Sequence, residues 1–162
     1  MDIFFDVNKD DKNIKFNFRA AGLITRNNKL LIMMDEGIDH YYFPGGRVKL
    51  TETTTQAVER EIYEELGIYA KSVSLAAVNE NFFQINDIDY HEIGFFYNVK
   101  INDDLLPSDD EFEKTDTDGV KHYFRFVDID DIENVFVYPV SVKKKIHEIL
   151  YSGTVIHTID TE

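Results

Sequence analysis

The chain has 162 residues, 43% of them hydrophobic, which is enough for one buried core but short of the length at which chains usually divide. We therefore expect a single domain over residues 1–162. The formal net charge of -14 leaves no basic surface for a polyanion and disfavours long RNA or DNA as a partner. The lack of cysteine excludes disulfides, thiolate metal sites and cysteine nucleophiles, and it agrees with a reducing compartment.

The N-terminal residues have none of the features of a secretion signal. Met1–Asp6 lacks a basic start and a long apolar stretch, and no apolar run in the sequence reaches the length of a membrane span. We expect a cytoplasmic protein that does not enter a membrane.

The first elements in chain order are β-strands. Alternation over Lys15–Arg19 leads into a small apolar run, and Asn27-Asn28 precedes a second run, Leu30–Met34, so the pattern predicts a hairpin. Tyr41–Phe43 is a short aromatic strand. It ends at Pro44-Gly45-Gly46, because proline removes a backbone donor and glycine permits positive φ.

A helix follows this turn. Thr53 and Gln56 have the spacing of a capping box, the stretch to Leu66 has helical periodicity, and Gly67 is placed to end the helix. Further strands are predicted at Ser72–Val78, Phe82–Ile85 and Tyr90–Ile101, with a turn at Asn86-Asp87.

The last third begins with an acidic loop. Asp103–Gly119 is polar and poor in apolar residues, whereas Lys121–Val127 returns to strand character. Asp128–Asn134 predicts a short helix and Ser141–Leu150 a longer one. On the longer helix, Val142, Ile146, Ile149 and Leu150 share an apolar face and Lys143-Lys144-Lys145 are expected to be exposed as a solvated face.

The chemistry is concentrated on the predicted helix before Gly67. Glu61, Glu64 and Glu65 lie at i, i+3 and i+4, so their carboxylates project from one helix face. Like charges at this spacing repel by roughly 0.2 to 0.5 kcal/mol per pair, and a hard divalent cation would remove that penalty. Ligands that are all oxygen favour Mg²⁺ or Mn²⁺ over zinc.

The simpler interpretation is that three glutamates form an ordinary solvated helix face. The surrounding spacing argues against it. Five residues separate Gly46 from Glu52, seven more separate Glu52 from Arg60, and the stretch Arg60–Ile68 then carries the acids, the apolar positions and Gly67. Chance is a poor explanation for so many fixed identities.

This stretch, Gly46–Ile68, resembles the Nudix box of the Nudix hydrolases, a family that includes MutT-like proteins, and Phe43-Pro44-Gly45-Gly46 resembles the usual approach to the box. The resemblance implies an α/β fold, specifically an α/β/α sandwich with a mixed β-sheet. It further implies that Glu61, Glu64 and Glu65 bind the metal.

The resemblance also implies finer roles around the metal. The Gly46 carbonyl is expected as an additional ligand, and Glu61 or Glu64 as the catalytic group that orients or deprotonates water. Glu52 and Arg60 are expected to support the geometry of loop and helix rather than to react.

The implied function is hydrolysis of a phosphoanhydride bond in a small nucleotide-like substrate, with Mg²⁺ or Mn²⁺ as cofactor. The alternative is a non-catalytic, nucleotide-binding regulatory module on the same fold. The intact box favours the enzyme. The choice between monomer and homodimer stays open at this point, as does the identity of the nucleotide derivative.

Two further questions remain open. Some family members use an acid outside the box, and here Glu92 and Glu113 rank above Glu111, Asp116 and Asp118, although none has a diagnostic spacing. Aromatic residues that are able to stack on a base are Tyr42, Phe82, Phe83 and Tyr97, for which packing in the core is the favoured interpretation.

Overall fold

The computed structural model describes residues 4–9 and 12–161, so residues 1–3, 10, 11 and 162 of the predicted domain lie outside the described residues. Within this part of the chain the strands are β1 (Phe4–Lys9), β2 (Lys12–Arg26), β3 (Lys29–Asp35), β4 (Tyr41–Tyr42), β5 (Gly45–Arg47), β6 (Ser72–Ile85), β7 (Ile88–Lys100), β8 (Glu111–Thr115), β9 (Lys121–Asp128), β10 (Val137–Tyr138) and β11 (Ile156–Thr161). The α-helices are α1 (Thr54–Leu66), α2 (Val140–Lys144) and α3 (Ile146–Tyr151), and short 3₁₀ helices cover Asp103–Leu105 and Ile129–Asn134.

These strands form one mixed sheet, as predicted. Its main order is β10-β4-β3-β2-β7-β6-β11, with β1 and β5 on β2, and with β9 between β3 and β8. The β2–β7, β4–β10 and β6–β11 pairs are parallel, and the other pairs are antiparallel. The prediction of a single domain stays a prediction.

Helices pack on both faces of the sheet, which confirms the predicted α/β fold. Alternate residues of β2 point to opposite faces. Ala20 and Ile24 pack with Ile62 of α1, whereas Ala21 and Leu23 join the second core, to which α2 and α3 contribute. No helix within residues 4–9 and 12–161 is long and apolar enough to cross a membrane.

The helix α1 begins and ends where the sequence predicts. The Thr53 hydroxyl accepts the Gln56 backbone N–H, and the Gln56 side chain accepts the Thr53 backbone N–H, so the capping box is complete. Gly67 ends the helix in the left-handed region, at φ 69°, and donates its N–H to the Tyr63 carbonyl.

Both predicted turns are also present. Asn27 and Asn28 adopt φ of 50° and 61° between β2 and β3, and Asn86 and Asp87 adopt 50° and 62° between β6 and β7. Two consecutive residues with positive φ match the twist of a tight hairpin, and Asn and Asp tolerate this conformation.

Several predicted boundaries were wrong. Ser72–Val78 and Phe82–Ile85 form one strand, β6, because the polar residues between them remain paired with β7. Asn79 is buried there and donates to Thr158 at 2.9 Å and to Ser141 at 3.1 Å. The acidic segment 103–119 is not only loop, since it contains a 3₁₀ turn and β8.

The last predicted helix differs as well. Residues 141–150 form two short helices, α2 and α3, separated at Lys145. The expected solvated lysine face is wrong for Lys143, which is 9% exposed and donates to the carbonyls of Val135 at 2.9 Å and Glu133 at 3.4 Å. Its ammonium group binds the end of the preceding turn instead of facing water. The terminal strands β1 and β11 were missed.

Candidate active site

A polar cleft of about 440 Å³ lies beside α1. Residues of β2, β3, β4, β5, β7, β9 and the β8–β9 loop complete its wall. Its carboxylates are Asp35, Glu61, Glu64, Glu65, Glu92, Asp116 and Asp118. Its cationic side chains are Arg19, Arg47, Lys49 and Arg60. The three predicted metal-binding glutamates therefore lie in one cleft, which Gly45 and Gly46 of β5 also line.

Glu65 is the most deeply buried of these acids, with 7% of its surface exposed. Its Oε1 accepts the Gly45 backbone N–H at 3.3 Å, while Oε2 is buried and has no hydrogen-bond partner among the described residues. Burial, followed by the charge of Glu61, raises the pKa of Glu65 well above its usual value. An ionised Glu65 thus needs a positive charge beside it.

Glu61 and Glu64 share one guanidinium nitrogen. Arg60 Nη1 donates to Glu61 Oε1 at 2.6 Å and to Glu64 Oε2 at 2.9 Å. Burial raises the pKa of Glu61, and the hydrogen bond and charge of Arg60 oppose that shift. Glu61 also packs on Gly46, where a Cβ atom would lie 2.4 Å from Oε1. Glycine is therefore required at this position for the carboxylate to occupy it.

Arg60 also connects α1 to the loop before it. Nε and Nη2 donate to the two oxygens of Glu52 at 2.7 and 2.9 Å, and Nη2 donates to the Arg47 carbonyl at 3.0 Å. Glu52 Oε2 accepts the Lys49 backbone N–H at 2.9 Å. The hydrogen bond from Arg60 lowers the pKa of Glu52, so this pair stays ionised. These contacts agree with the predicted role of Arg60 and Glu52 in supporting the loop and helix geometry, and that role stays a prediction.

A divalent cation is compatible with these donors. Within the described residues, no three Asp, Glu or His side chains form a ready metal-binding cluster. Arg60 supplies the positive charge between Glu61 and Glu64, and Glu65 keeps one buried oxygen without a partner. A hard cation at this point would satisfy that oxygen and neutralise the repulsion that Arg60 offsets only in part.

Among the described residues, the Gly45 backbone carbonyl, and not that of Gly46, accepts a hydrogen bond from an arginine in the cleft. Its oxygen accepts Arg19 Nη2 at 2.7 Å, and the Arg19 guanidinium lies 5.2 Å from the centre of the Tyr42 ring. Gly46, the predicted carbonyl ligand, lines the same cleft. Its role as a ligand stays a prediction.

The two candidate acids outside the box occupy different places. Glu92 on β7 lines the cleft and accepts Asn17 Nδ2 at 3.4 Å. Glu113 on β8 lies outside the cleft, with a side chain that is 60% exposed and paired with Lys121 at 2.8 Å. Geometry therefore favours Glu92 over Glu113 for any role in the cleft.

Sequence reasoning ranked Asp116 and Asp118 low and missed His122 and Asp35, all of which line the cleft. His122 on β9 faces Asp35 through Nδ1 at 2.6 Å and Asp116 through Nε2 at 3.1 Å. Burial, followed by the interaction with Asp35, raises the pKa of Tyr42 in the same cleft. Isolated polar residues at strand ends have no diagnostic spacing, so the sequence offers no means of finding the pairing of His122 with Asp35.

The aromatic candidates divide between core and surface. Tyr97 is buried, as expected, and its hydroxyl lies 2.5 Å from that of Thr54. The prediction of core packing is wrong for Phe82, whose side chain is 37% exposed and stacks on His91. Phe83 stacks on Tyr90. Tyr42 alone of the four lines the cleft.

The sequence of this chain is similar to those of known hydrolases. The model of the NUDIX domain matches residues 16–145. An RNA pyrophosphohydrolase from Psychrobacter sp. (strain PRwf-1) is 34% identical over 67 residues, 40% of this chain and 39% of that protein. An 8-oxo-dGTP diphosphatase from Escherichia coli (strain K12) is 36% identical over 61 residues, 35% of this chain and 47% of that protein. Both matches span less than half of the relative's length.

Solved structures have the same fold. The MutT protein from Bacillus halodurans superposes with a TM-score of 0.61 at 15% identity, over 90% of each chain. A UDP-X diphosphatase superposes with a TM-score of 0.59 at 21% identity, over 89% of this chain and 66% of that one.

Proposed function

This chain belongs to the Nudix family, and on that basis we propose that it is a divalent-metal-dependent pyrophosphohydrolase acting on a small substrate built on a nucleoside diphosphate. The observation that carries the proposal is the Glu65 carboxylate, which is buried beside Glu61 with one oxygen lacking a partner among the described residues. A buried carboxylate in that state lowers the stability of the fold, and carboxylates with such strongly shifted pKa values cluster at functional sites.

Glu61, Glu64 and Glu65 would hold the metal, together with the backbone carbonyl of Gly46. When bound, Mg²⁺ or Mn²⁺ polarises the phosphoryl group and lowers the pKa of water. The protein's own contribution is to fix the carboxylates. Glu65 is held by the Gly45 N–H, and Arg60 keeps Glu61 and Glu64 close together in spite of their charges.

The reaction is hydrolysis at phosphorus. A bond forms between the water oxygen and phosphorus, the bond from phosphorus to the bridging oxygen breaks, and the substrate separates into two phosphorylated products. Glu61 or Glu64 takes the proton of the attacking water. Arg19 and Lys49, two of the four cationic groups of the cleft, would face the phosphates of the substrate.

The substrate is proposed only as a chemical class. The relatives and the solved structure are named as an RNA pyrophosphohydrolase, an 8-oxo-dGTP diphosphatase and a UDP-X diphosphatase, and what these names share is cleavage of a phosphoanhydride bond. The acidic cleft has space for a small molecule and disfavours a long polyanion, so we propose a small nucleotide derivative.

The test is a screen for release of a nucleoside monophosphate and its phosphorylated partner product, separated by chromatography. ADP-ribose, nucleotide sugars, dinucleoside polyphosphates, nucleotide coenzymes and oxidised nucleoside triphosphates are each incubated with the protein and Mg²⁺ or Mn²⁺. We expect turnover of at least one of them by the wild type and by Glu59→Gln, a control at an exposed position of the same helix. Turnover that is equal in Glu65→Gln, or that persists in excess chelator, would refute the proposal.

A further inference from the structure

His122 is buried where β3, β8 and β9 meet, and it lines the same cleft as the glutamates of α1. It lies on β9 between β3 and β8, in register with Asp35 and Lys114. Its side chain is 7% exposed, and both ring nitrogens face carboxylates, Asp35 Oδ1 at 2.6 Å and Asp116 Oδ2 at 3.1 Å. A histidine in this position connects two parts of the chain that are far apart in sequence.

Asp116 has hydrogen-bond partners on both of its carboxylate oxygens. Asp116 Oδ1 already accepts the backbone N–H groups of Asp118 at 2.9 Å and Val120 at 2.8 Å, and a carboxylate can only accept. Each ring nitrogen of His122 lies within hydrogen-bond distance of a different carboxylate, so the imidazole links Asp35 on β3 to Asp116 in the β8–β9 loop.

The β8–β9 loop depends on these bonds for its position. Asp116, Thr117 and Asp118 line the cleft, and the turn they form is closed by the bonds to Asp116. At the base of the same hairpin, the Lys114 ammonium binds the Leu66 carbonyl at the end of α1. Between these two points, His122 is the buried group that ties the loop to β3.

We propose that His122 is a positioning residue for substrate binding, which holds Asp116 and Asp35 together so that the β8–β9 loop forms the substrate-facing wall opposite the glutamates of α1. The inference rests on the proposed function, because it takes the cleft to be the substrate site. It assigns His122 no contact with substrate or metal. Its effect is on the affinity for the substrate and not on the affinity for the cation.

Three substitutions separate the two hydrogen bonds. Asparagine carries its amide nitrogen close to the position of imidazole Nδ1 and retains the bond to Asp35, whereas glutamine reaches the position of Nε2 and retains the bond to Asp116. Phenylalanine fills the space and makes neither bond. Asp116→Asn tests the same link from the loop, since its side-chain oxygen still accepts the backbone N–H groups of the turn.

The experiment measures binding of α,β-methylene-ADP, a diphosphate that cannot be hydrolysed at its anhydride position, by calorimetry in the presence of Mn²⁺, and Mn²⁺ binding separately. His157→Asn is the control, because His157 forms a comparable pair with Glu80 at 2.9 Å on the edge strand β11. We expect His122→Phe, His122→Asn and Asp116→Asn to weaken diphosphate binding by about tenfold or more, as the loss of a charged hydrogen bond implies.

The diphosphate affinities of His122→Gln and of the control His157→Asn should stay within about threefold of the wild-type affinity. That difference is smaller than the effect of losing one hydrogen bond. Mn²⁺ affinity should be unchanged in every variant, and melting temperatures identify any variant that does not fold. The inference is overturned if the folded variants bind the diphosphate equally well, if His122→Asn retains more affinity than His122→Gln, or if Mn²⁺ affinity falls in parallel. If the wild type binds no diphosphate at all, the proposed function fails first.

Discussion

Arg60 and Glu52 are joined by two parallel hydrogen bonds, Nε to Oε1 at 2.7 Å and Nη2 to Oε2 at 2.9 Å. Both side chains are mostly buried, with exposures of 19% and 14%. The remaining nitrogen, Nη1, reaches the carboxylates of Glu61 and Glu64. One guanidinium group thus fixes the loop before α1 and also partly neutralises the acids on α1.

Arg60→Ala should therefore lower stability as well as activity. Removing Arg60 leaves Glu52 without its partner and Glu61 and Glu64 without their shared cation, so we expect a loss of roughly 2 to 4 kcal/mol in the free energy of unfolding. Urea denaturation measures this loss. Arg60→Lys should lie between the wild type and Arg60→Ala, because lysine keeps the charge but not the two-pronged geometry.

Arg125→Ala is the control for this comparison. Arg125 pairs with Glu111 at 3.4 Å, where the two side chains are 42% and 75% exposed, so its removal should cost at most about 1 kcal/mol. If Arg60→Ala unfolds at the wild-type urea concentration and loses only substrate affinity, the supporting role is wrong.

Mg²⁺ or Mn²⁺ should raise the melting temperature of the protein. The cation binds the carboxylates only when α1 is folded, and at a hundred times its dissociation constant it adds about 2.7 kcal/mol. For a domain of this size that corresponds to an increase of about 5 to 10 °C. Thermal denaturation with and without the ion measures it. A melting temperature that does not change with millimolar metal would contradict the metal site.

Glu65→Gln should stabilise the metal-free protein at neutral pH and remove the shift that metal produces. The pKa of Glu65 is raised in the folded state, so folding favours its protonated form. Its contribution to stability is therefore present below the unfolded pKa and is lost as pH rises through the folded pKa.

The pH dependence of the difference between variant and wild type isolates this residue. Glu52 and Asp116 have lowered pKa values and act in the opposite direction, but they are common to both proteins. The advantage in melting temperature of Glu65→Gln over the wild type, in chelator, should increase as the pH rises above the ordinary pKa of a glutamate and level off once Glu65 is ionised in the folded protein. A constant difference would show that Glu65 ionises normally.

Glu92→Gln should reduce turnover more than Glu113→Gln. Glu92 lies in the cleft, whereas Glu113 is paired with Lys121 on the surface. Initial rates on the substrate found in the screen measure both, and we expect Glu113→Gln to stay within about twofold of the wild type, as for most surface substitutions. The reverse order would show that the catalytic acid outside the box comes from β8.

Interactions between residues close together in the sequence determine much of the fold. The capping residues of α1, its end at Gly67 and the two hairpin turns at 27–28 and 86–87 are decided by neighbouring residues, and all are found where the sequence indicates. The glutamates of α1 share a face for the same reason, since helical spacing alone determines it.

Tertiary contacts account for the failures. Asn79 is polar but buried, because Thr158 and Ser141 accept its amide from residues far along the chain. Lys143 is buried because two carbonyls of the preceding turn accept its ammonium protons. The pairing of His122 with Asp35 depends on the register of β3 and β9, which no spacing in the sequence reveals.

The most direct test of the central claim measures turnover and Mn²⁺ affinity together in Glu61→Gln, Glu64→Gln and Glu65→Gln. Each substitution keeps the size of the side chain and most of its helix propensity while removing one charge. If the three acids bind one catalytic cation, both quantities should fall in each folded variant, with turnover reduced by about 10²-fold or more and Glu59→Gln unaffected. Wild-type hydrolysis in all three variants would contradict the site, and tight nucleotide binding by a wild type that turns over no substrate would indicate a regulatory module instead.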